Sequence, residues 1–276
     1  MKYRSKVFNS VYKTERVIRL AKTGAYSAPY LAKIFGCNKK TVFKILQANE
    51  ITLPNLGRFE KKIYCNERFF LELNPISAYW AGFIAADGAL SERDKSIAIS
   101  LNKRDKAHLY KFINAIKTNA RIGNISSNSS VRMAIYSRPL YESLLKLGIG
   151  PNKSLNIGRI KMPRYLESHF IRGVFDGDGW ISGRKITHVQ LGIAGNRPFL
   201  RQIQDTLVKK CGINRVKLYL LPQSGRACKL QYTGSQIFRI LDFLYRDSSR
   251  QIRLDRKRQK LLEIRRRLQV NDASRN

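Results

Sequence analysis

Acidic residues, histidines and cysteines are all scarce in this sequence, and each shortage excludes something. Only 19 Asp and Glu stand against 53 Lys and Arg in 276 residues, a formal net charge of +34. A chain so basic repels itself unless a polyanion neutralises it, and the common polyanions of a cell are nucleic acids and anionic membrane surfaces. Charge alone does not choose between them. His108, His169 and His188 are the only histidines, and Cys37, Cys65, Cys211 and Cys228 lie far apart with no C-x-x-C pair. Zinc fingers and His-based nuclease sites therefore lack ligands, and any metal must be held by carboxylates. Long apolar runs are missing too: the stretch Leu73 to Ala86 stops at Asp87 after 14 uncharged residues, whereas a membrane-spanning helix needs roughly 20. The basic start Met1-Lys2-Tyr3-Arg4 has no apolar run behind it, so the expectation is an intracellular protein that is not secreted and has no membrane partner. Apolar material is nevertheless plentiful, and 43% hydrophobic with 10% aromatic residues suffices for packed cores rather than a disordered tail.

Positive charge is spread along the chain. Residues 1–70 carry 15 basic and 4 acidic residues (+11), residues 71–160 carry 13 and 6 (+7), and residues 161–276 carry 25 and 9 (+16). A tail-borne arm would concentrate the charge, so the polyanion is expected to touch all three parts. Residues 14–50 read as three short helices, Thr14 to Lys22, Ala28 to Phe35 and Lys39 to Asn49, broken at Gly24 and Gly36. With small Ala32, Gly36 in the turn, and Val42 and Ile45 facing back, the last two resemble a helix-turn-helix. In that motif the second helix enters the major groove by its N-terminal residues, here Asn38, Lys39, Lys40, Thr41 and Lys44. Pro54, Asn55 and Gly57 then mark a linker, giving an N-terminal region 1–58 ahead of regions 59–160 and 161–276.

From residue 75 the chain repeats itself. An apolar helix ending in Asp-Gly (Ile76 to Gly88) precedes a strand (Ser96 to Leu101), a helix (Asp105 to Ile116), two strands (Ala120 to Ile125, Ser130 to Tyr136) and a helix (Pro139 to Leu147). The second copy runs in the same order: a helix (Tyr165 to Gly179), a strand (Lys185 to Ala194), a helix (Arg197 to Cys211), two strands (Arg215 to Leu221, Arg226 to Thr233) and helices Ser235 to Tyr245 and Arg253 to Leu268. The Asp-Gly helices place small residues four apart, Gly82/Ala86 and Gly173/Gly177, on one face each. Two such faces can pack with close backbones, ending the helices side by side with Asp87 and Asp178 level. The glycine after each aspartate is expected to be a left-handed stop. A carboxylate at a helix C-terminus is electrostatically unfavourable, and doing this twice is compensated if hard cations and a phosphate sit between the carboxylates. One Asp-Gly end alone would be an ordinary turn. Asp176, Asp205 and Asp255 read as solvated or salt-bridging, and His169 as structural or nucleic-acid-contacting.

The segments Trp80-Ala81-Gly82-Phe83-Ile84-Ala85-Ala86-Asp87-Gly88 and Ile171-Arg172-Gly173-Val174-Phe175-Asp176-Gly177-Asp178-Gly179 resemble the LAGLIDADG signature, so the chain is similar to the two-motif, monomeric homing endonucleases. The likeness covers roughly residues 72 to 265 and includes the segments Leu147 to Ser154 and Leu241 to Lys257 that close each repeat. Two departures stand out: Ala85 replaces the signature's earlier Asp, and Arg172 replaces Ala. The resemblance implies an α+β fold of two pseudo-symmetric repeats forming a DNA-binding saddle, with the small all-α helix-turn-helix in front. It implies double-strand hydrolysis of DNA with Mg²⁺, for which Mn²⁺ would substitute, held by Asp87 and Asp178, and catalytic basic residues at Lys153 and Lys257. The partner implied is double-stranded DNA with a long target. An excess of nine charges on residues 161–276 over residues 71–160 points to a target that is not palindromic. A non-catalytic DNA-binding regulator on the same scaffold, or an intron RNA maturase, stays open as an alternative. The chain ends, Met1-Lys2-Tyr3 and Ser274-Arg275-Asn276, lack the nucleophiles of an intein.

Strand alternation gives an independent reading. Val131, Met133 and Ile135 alternate with Arg132 and Tyr136; Leu218 and Leu220 with Lys217 and Tyr219; Cys228, Leu230 and Tyr232 with Lys229 and Gln231. One face is core. The other offers groups able to contact guanine edges, adenine edges and phosphates, and His188 and Gln190 on the strand Lys185 to Ala194 are added to that set.

Overall fold

The structure is a computed structural model describing residues 13–22, 28–51, 64–125, 129–152, 157–183, 189–221 and 227–273. The chain forms two compact units, Met1–Lys62 and Ile63–Asn276. In the first, helices α1 (13–22), α2 (Ala28–Phe35) and α3 (Lys39–Ala48) enclose a small core of Val17, Ala21, Leu31, Ala32, Val42 and Leu46. Gly36 turns the chain between α2 and α3 at φ +63°, a left-handed conformation that glycine adopts without steric cost. Asn38 caps α3 by accepting a 3.0 Å hydrogen bond from the Lys40 backbone N–H.

The second unit is α+β. Its first half runs α4 (Pro75–Asp87), β1 (Gly88–Ser91), β2 (Ser96–Asn102), α5 (Lys106–Ile116), β3 (Gly123–Ile125), β4 (Ser130–Tyr136) and α6 (Arg138–Leu147). Its second half runs α7 (Glu167–Asp178), β5 (Gly179–Ser182), β6 (Gln190–Gly195), α8 (Arg197–Cys211), β7 (Tyr219–Leu220), β8 (Cys228–Thr233), α9 (Gln236–Tyr245) and α10 (Asp255–Ala273). Each half contributes one antiparallel four-stranded sheet, ordered β1-β2-β4-β3 and β5-β6-β8-β7, so the repeat read in the sequence is a repeat of topology. The registers correspond as well: Gly88 pairs with Ile99 and Ile99 with Met133 in one sheet, Gly179 with Ile193 and Ile193 with Leu230 in the other. One continuous apolar core joins both halves.

Several expectations change. Strands β1 and β5 follow the motif helices directly and were not legible, because four residues are too few for an alternation to show. Gly88 and Gly179 are not left-handed stops: their φ values are −79° and −87°, and each is the first residue of a strand. Their reason is steric. A Cβ on Gly88 would lie 2.7 Å from both the Ile84 carbonyl oxygen and its Cγ2, and one on Gly179 would strike the Phe175 ring. The outer strands are shorter than expected, since β7 holds only Tyr219 and Leu220 at a sheet edge. Leu220, in this two-residue edge strand, is 59% exposed instead of buried. Among the described residues no helix is long and apolar enough to cross a membrane.

Candidate functional site

Among the described residues, helices α4 and α7 form the most extensive contact between any two elements, and their sequences explain why. Asn74 opens α4 with a capping box: its Oδ1 accepts from the Ile76 and Ser77 N–H groups (2.9 and 3.1 Å), and Ser77 Oγ accepts from the Asn74 N–H (2.9 Å). Residues Ser77 to Ala86 of α4 are all buried. The small residues lie at the crossing. A Cβ on Gly82 would run into the Phe170 carbonyl, and one on Gly173 would come within 2.7 Å of the Phe83 nitrogen. Backbone thus meets backbone, and the two helices end together.

At that end Asp87 is half-buried and Asp178 exposed. Gly177 keeps the floor between them clear: a Cβ there would clash with Ala86 Cβ and stand 3.4 Å from Asp87 Oδ2. The Asp87 carboxylate therefore lies over bare backbone one residue ahead of Asp178. Among the described residues no group of three or more His, Cys, Asp and Glu side chains gathers as a metal site. One aspartate at each helix end, with bare backbone beside the Asp87 carboxylate, suits a hard cation that takes its remaining ligands from water or phosphate.

Lys257, at the start of α10, is buried beneath this end. Its Nζ donates to the carbonyls of Phe175 (2.5 Å), Gly177 (3.2 Å) and Gly179 (2.5 Å), one for each proton of the ammonium. Phe175 and Gly177 lie in the last turn of α7 and Gly179 just beyond it, so the positive charge offsets the negative end of the α7 dipole beneath the two aspartates. Burial lowers the Lys257 pKa to about 8, against the fields of Asp176, Asp87 and Asp178, which raise it, while Arg256 adds to the lowering.

Asp176 corrects the sequence reading. It is neither solvated nor in a surface salt bridge but 1% exposed, and it accepts three hydrogen bonds: from Tyr79 Oη (2.9 Å), Tyr245 Oη (2.5 Å) and the Leu254 N–H (2.7 Å). Burial raises its pKa, opposed by these donors and by the Lys257 charge. Burial, then the Asp176 charge, pushes both phenols well above their ordinary range, so they remain donors. With the Tyr79 proton given to Asp176, His108 Nε2 is the donor in its 2.9 Å contact with the Tyr79 oxygen. Burial lowers the His108 pKa to about 3. Arg172, also fully buried, donates through Nε to Ile252 O (2.7 Å), through Nη1 to Leu244 O (2.6 Å) and through Nη2 to His169 Nδ1 (2.8 Å). The alanine-to-arginine departure is thus a clamp on the segment between α9 and α10, and His169 is structural. Asp205 and Asp255 are ion-paired as expected, with Arg215 (2.6 Å) and Lys111 (2.7 Å).

The other candidates fall in three places. Asn38, Lys39, Lys40, Thr41 and Lys44 are exposed on α3 and its cap. On the uncovered sheet faces, Arg132, Tyr136 and Tyr219 are exposed and Gln190, Lys229 and Gln231 half-buried, with Lys229 Nζ 5.8 Å from the Tyr219 ring centre. Lys217 is exposed just ahead of β7 rather than in it. Lys153 and His188 lie outside the described residues.

No family model and no curated protein matches the sequence. Among solved structures, the chain is similar to full-length DUF199/WhiA from Thermatoga maritima (18% identity, 73% of this chain, TM-score 0.48), of which it spans only 63%. It is also similar to the LAGLIDADG meganuclease I-CpaMI bound to uncleaved DNA (14% identity, 74% of this chain and 93% of that one, TM-score 0.46). A third is a variant of I-DmoI in complex with its target DNA in the presence of 2 mM Mg (17% identity, 67% of this chain and 100% of that one, TM-score 0.43). At these scores the fold and the site rest on this chain's own geometry.

Proposed function

We propose that this chain is a metal-dependent, sequence-specific endonuclease for double-stranded DNA, with Asp87 and Asp178 holding the divalent cations. The observation that carries this reading is the pair of helices that end together with one aspartate each, between two sheets whose uncovered faces bear Arg, Lys, Gln and Tyr. A carboxylate at a helix C-terminus meets the negative end of the helix dipole, an arrangement that bound cations would offset. Mg²⁺, or Mn²⁺ in its place, would supply Lewis-acid stabilisation and an ionised water at neutral pH.

The chain's own residues supply position. The contacts of Gly82 and Gly173 fix the spacing of α4 and α7, and Gly177 clears the space over which the Asp87 carboxylate lies. Lys257 acts through the carbonyls of 175, 177 and 179, holding the turn that carries Asp178. Lys153 is proposed as the basic group of the other half. The three-part division 1–58, 59–160 and 161–276 becomes an accessory that adds affinity through Lys39, Lys40 and Lys44 and two halves that each face one half-site of a non-palindromic target.

Incubating the protein with Mg²⁺ and a randomised duplex library, then sequencing cut ends, tests the activity. Asp87→Asn and Asp178→Asn should each abolish double-strand cleavage while leaving binding in Ca²⁺ or EDTA nearly intact. Continued cutting by the double variant would overturn the site assignment. Binding without cutting by the unmodified chain would favour a regulator.

A further inference from the structure

The two sheets share a register but not a surface. Directly paired residues of antiparallel strands point to the same side, so the row next to each motif aspartate is defined by the pairing. In the first sheet that row is Ala89, Ala98 and Ala134. In the second the equivalent row is Trp180, Gly192 and Gln231. The rows are equivalent because each lies one residue beyond the glycine that follows its aspartate. Gly192 has its own reason: a Cβ there would drive into the Trp180 indole, so the ring lies over a bare strand beside Gln231. One row carries methyl groups only. The other carries an aromatic plate and a carboxamide.

We infer that DNA readout next to the cleavage centre is one-sided: the second half selects its inner base through Gln231, and the first half does not select its own. This rests on the endonuclease reading of the same surface. A glutamine carboxamide can pair bidentately with adenine N6 and N7, whereas alanine methyl groups offer at most apolar contact with a thymine methyl. Farther out, Arg132 in the first sheet and Lys229 in the second both offer donors suited to guanine, so the imbalance is confined to the inner row.

The test is selection of bound duplexes from a randomised library in EDTA, with the full chain and with Gln231→Ala, Ala134→Gln and Arg132→Ala, each checked for native circular dichroism. The expected motif has one strongly preferred inner base, adenine on one strand, and a near-random inner base in the opposite half. Gln231→Ala should flatten that preference by roughly 5- to 100-fold and leave the other half unchanged. Arg132→Ala should relax a guanine position in the opposite half, which assigns the halves. Ala134→Gln should create a preference where none existed. Equal selectivity at both inner positions, or an unchanged motif in Gln231→Ala, overturns the inference and leaves the endonuclease reading standing. Failure to enrich any motif overturns both.

Discussion

Replacing Gly173 with alanine sets two physical effects of opposite sign against each other. In an exposed helix the change would stabilise, since alanine is favoured over glycine by about 0.8–1.0 kcal/mol. Here the new methyl group would collide with the Tyr79 carbonyl oxygen and lie 2.7 Å from the Phe83 nitrogen and 3.0 Å from the Tyr79 carbonyl carbon. All three are backbone atoms of α4, which cannot rotate away as a side chain would. The helices must separate, opening voids along their contact, and overpacking against backbone that cannot yield falls in the upper part of the usual range, about 2–3 kcal/mol. The net expectation is a loss of about 1–2 kcal/mol after the propensity gain, or roughly 2–8 °C in Tm for a unit of this size. Urea unfolding followed by tryptophan fluorescence reads the right unit, because Trp80 is fully buried in α4 and Trp180 lies on β5. Gly158→Ala, where a Cβ meets nothing within 4 Å, is the control and should stay within about 0.5 kcal/mol of the parent. A Gly173→Ala protein as stable as the parent would refute the backbone contact and, with it, the spacing of Asp87 and Asp178.

Two further outcomes follow from the structure. His108 is neutral when folded, its pKa lowered to about 3, and takes up a proton when unfolded near 6.5. The unfolded chain thus binds more protons between those values, so its contribution to stability is complete above pH 6.5 and falls by about 1.4 kcal/mol per pH unit on acidification. The difference between the parent and His108→Gln in urea titrations at pH 7 and pH 5 should show this slope, and a pH-independent difference would contradict the buried neutral imidazole. Replacing Lys39, Lys40 and Lys44 together with alanine should weaken duplex binding and reduce the salt slope by about 0.9 for each phosphate no longer neutralised, without abolishing Mg²⁺-dependent cleavage; an unchanged slope would remove α3 from the interface.

Much of the central architecture was legible because its signals are local. Small residues four apart, an Asp-Gly helix end and a repeat of element order can each be read along the chain. Asp176 was not, since two of its partners lie 97 and 69 positions away, at Tyr79 and Tyr245, and a carboxylate in a basic chain reads as solvated until those donors are placed around it. The glycines after the aspartates were assigned the wrong reason: position relative to the helix was right, but sequence does not distinguish a left-handed turn from a straight passage into a strand too close for a Cβ. Leu220 failed because alternation describes a sheet's interior and β7 lies at its edge.

The hydrogen bonds of Asp176 also bear on how such a molecule could have arisen and whether it could be divided. A protein made by joining two copies of one ancestor begins with interchangeable halves. Here the carboxylate exists in one half only, Ala85 standing at the matching position, while Tyr79 and His108 that serve it belong to the other. Separated, one half would keep a buried acid short of a donor and the other a phenol without its acceptor. The halves depend on each other, and a homodimer built from either one would lack a part that only the other encodes.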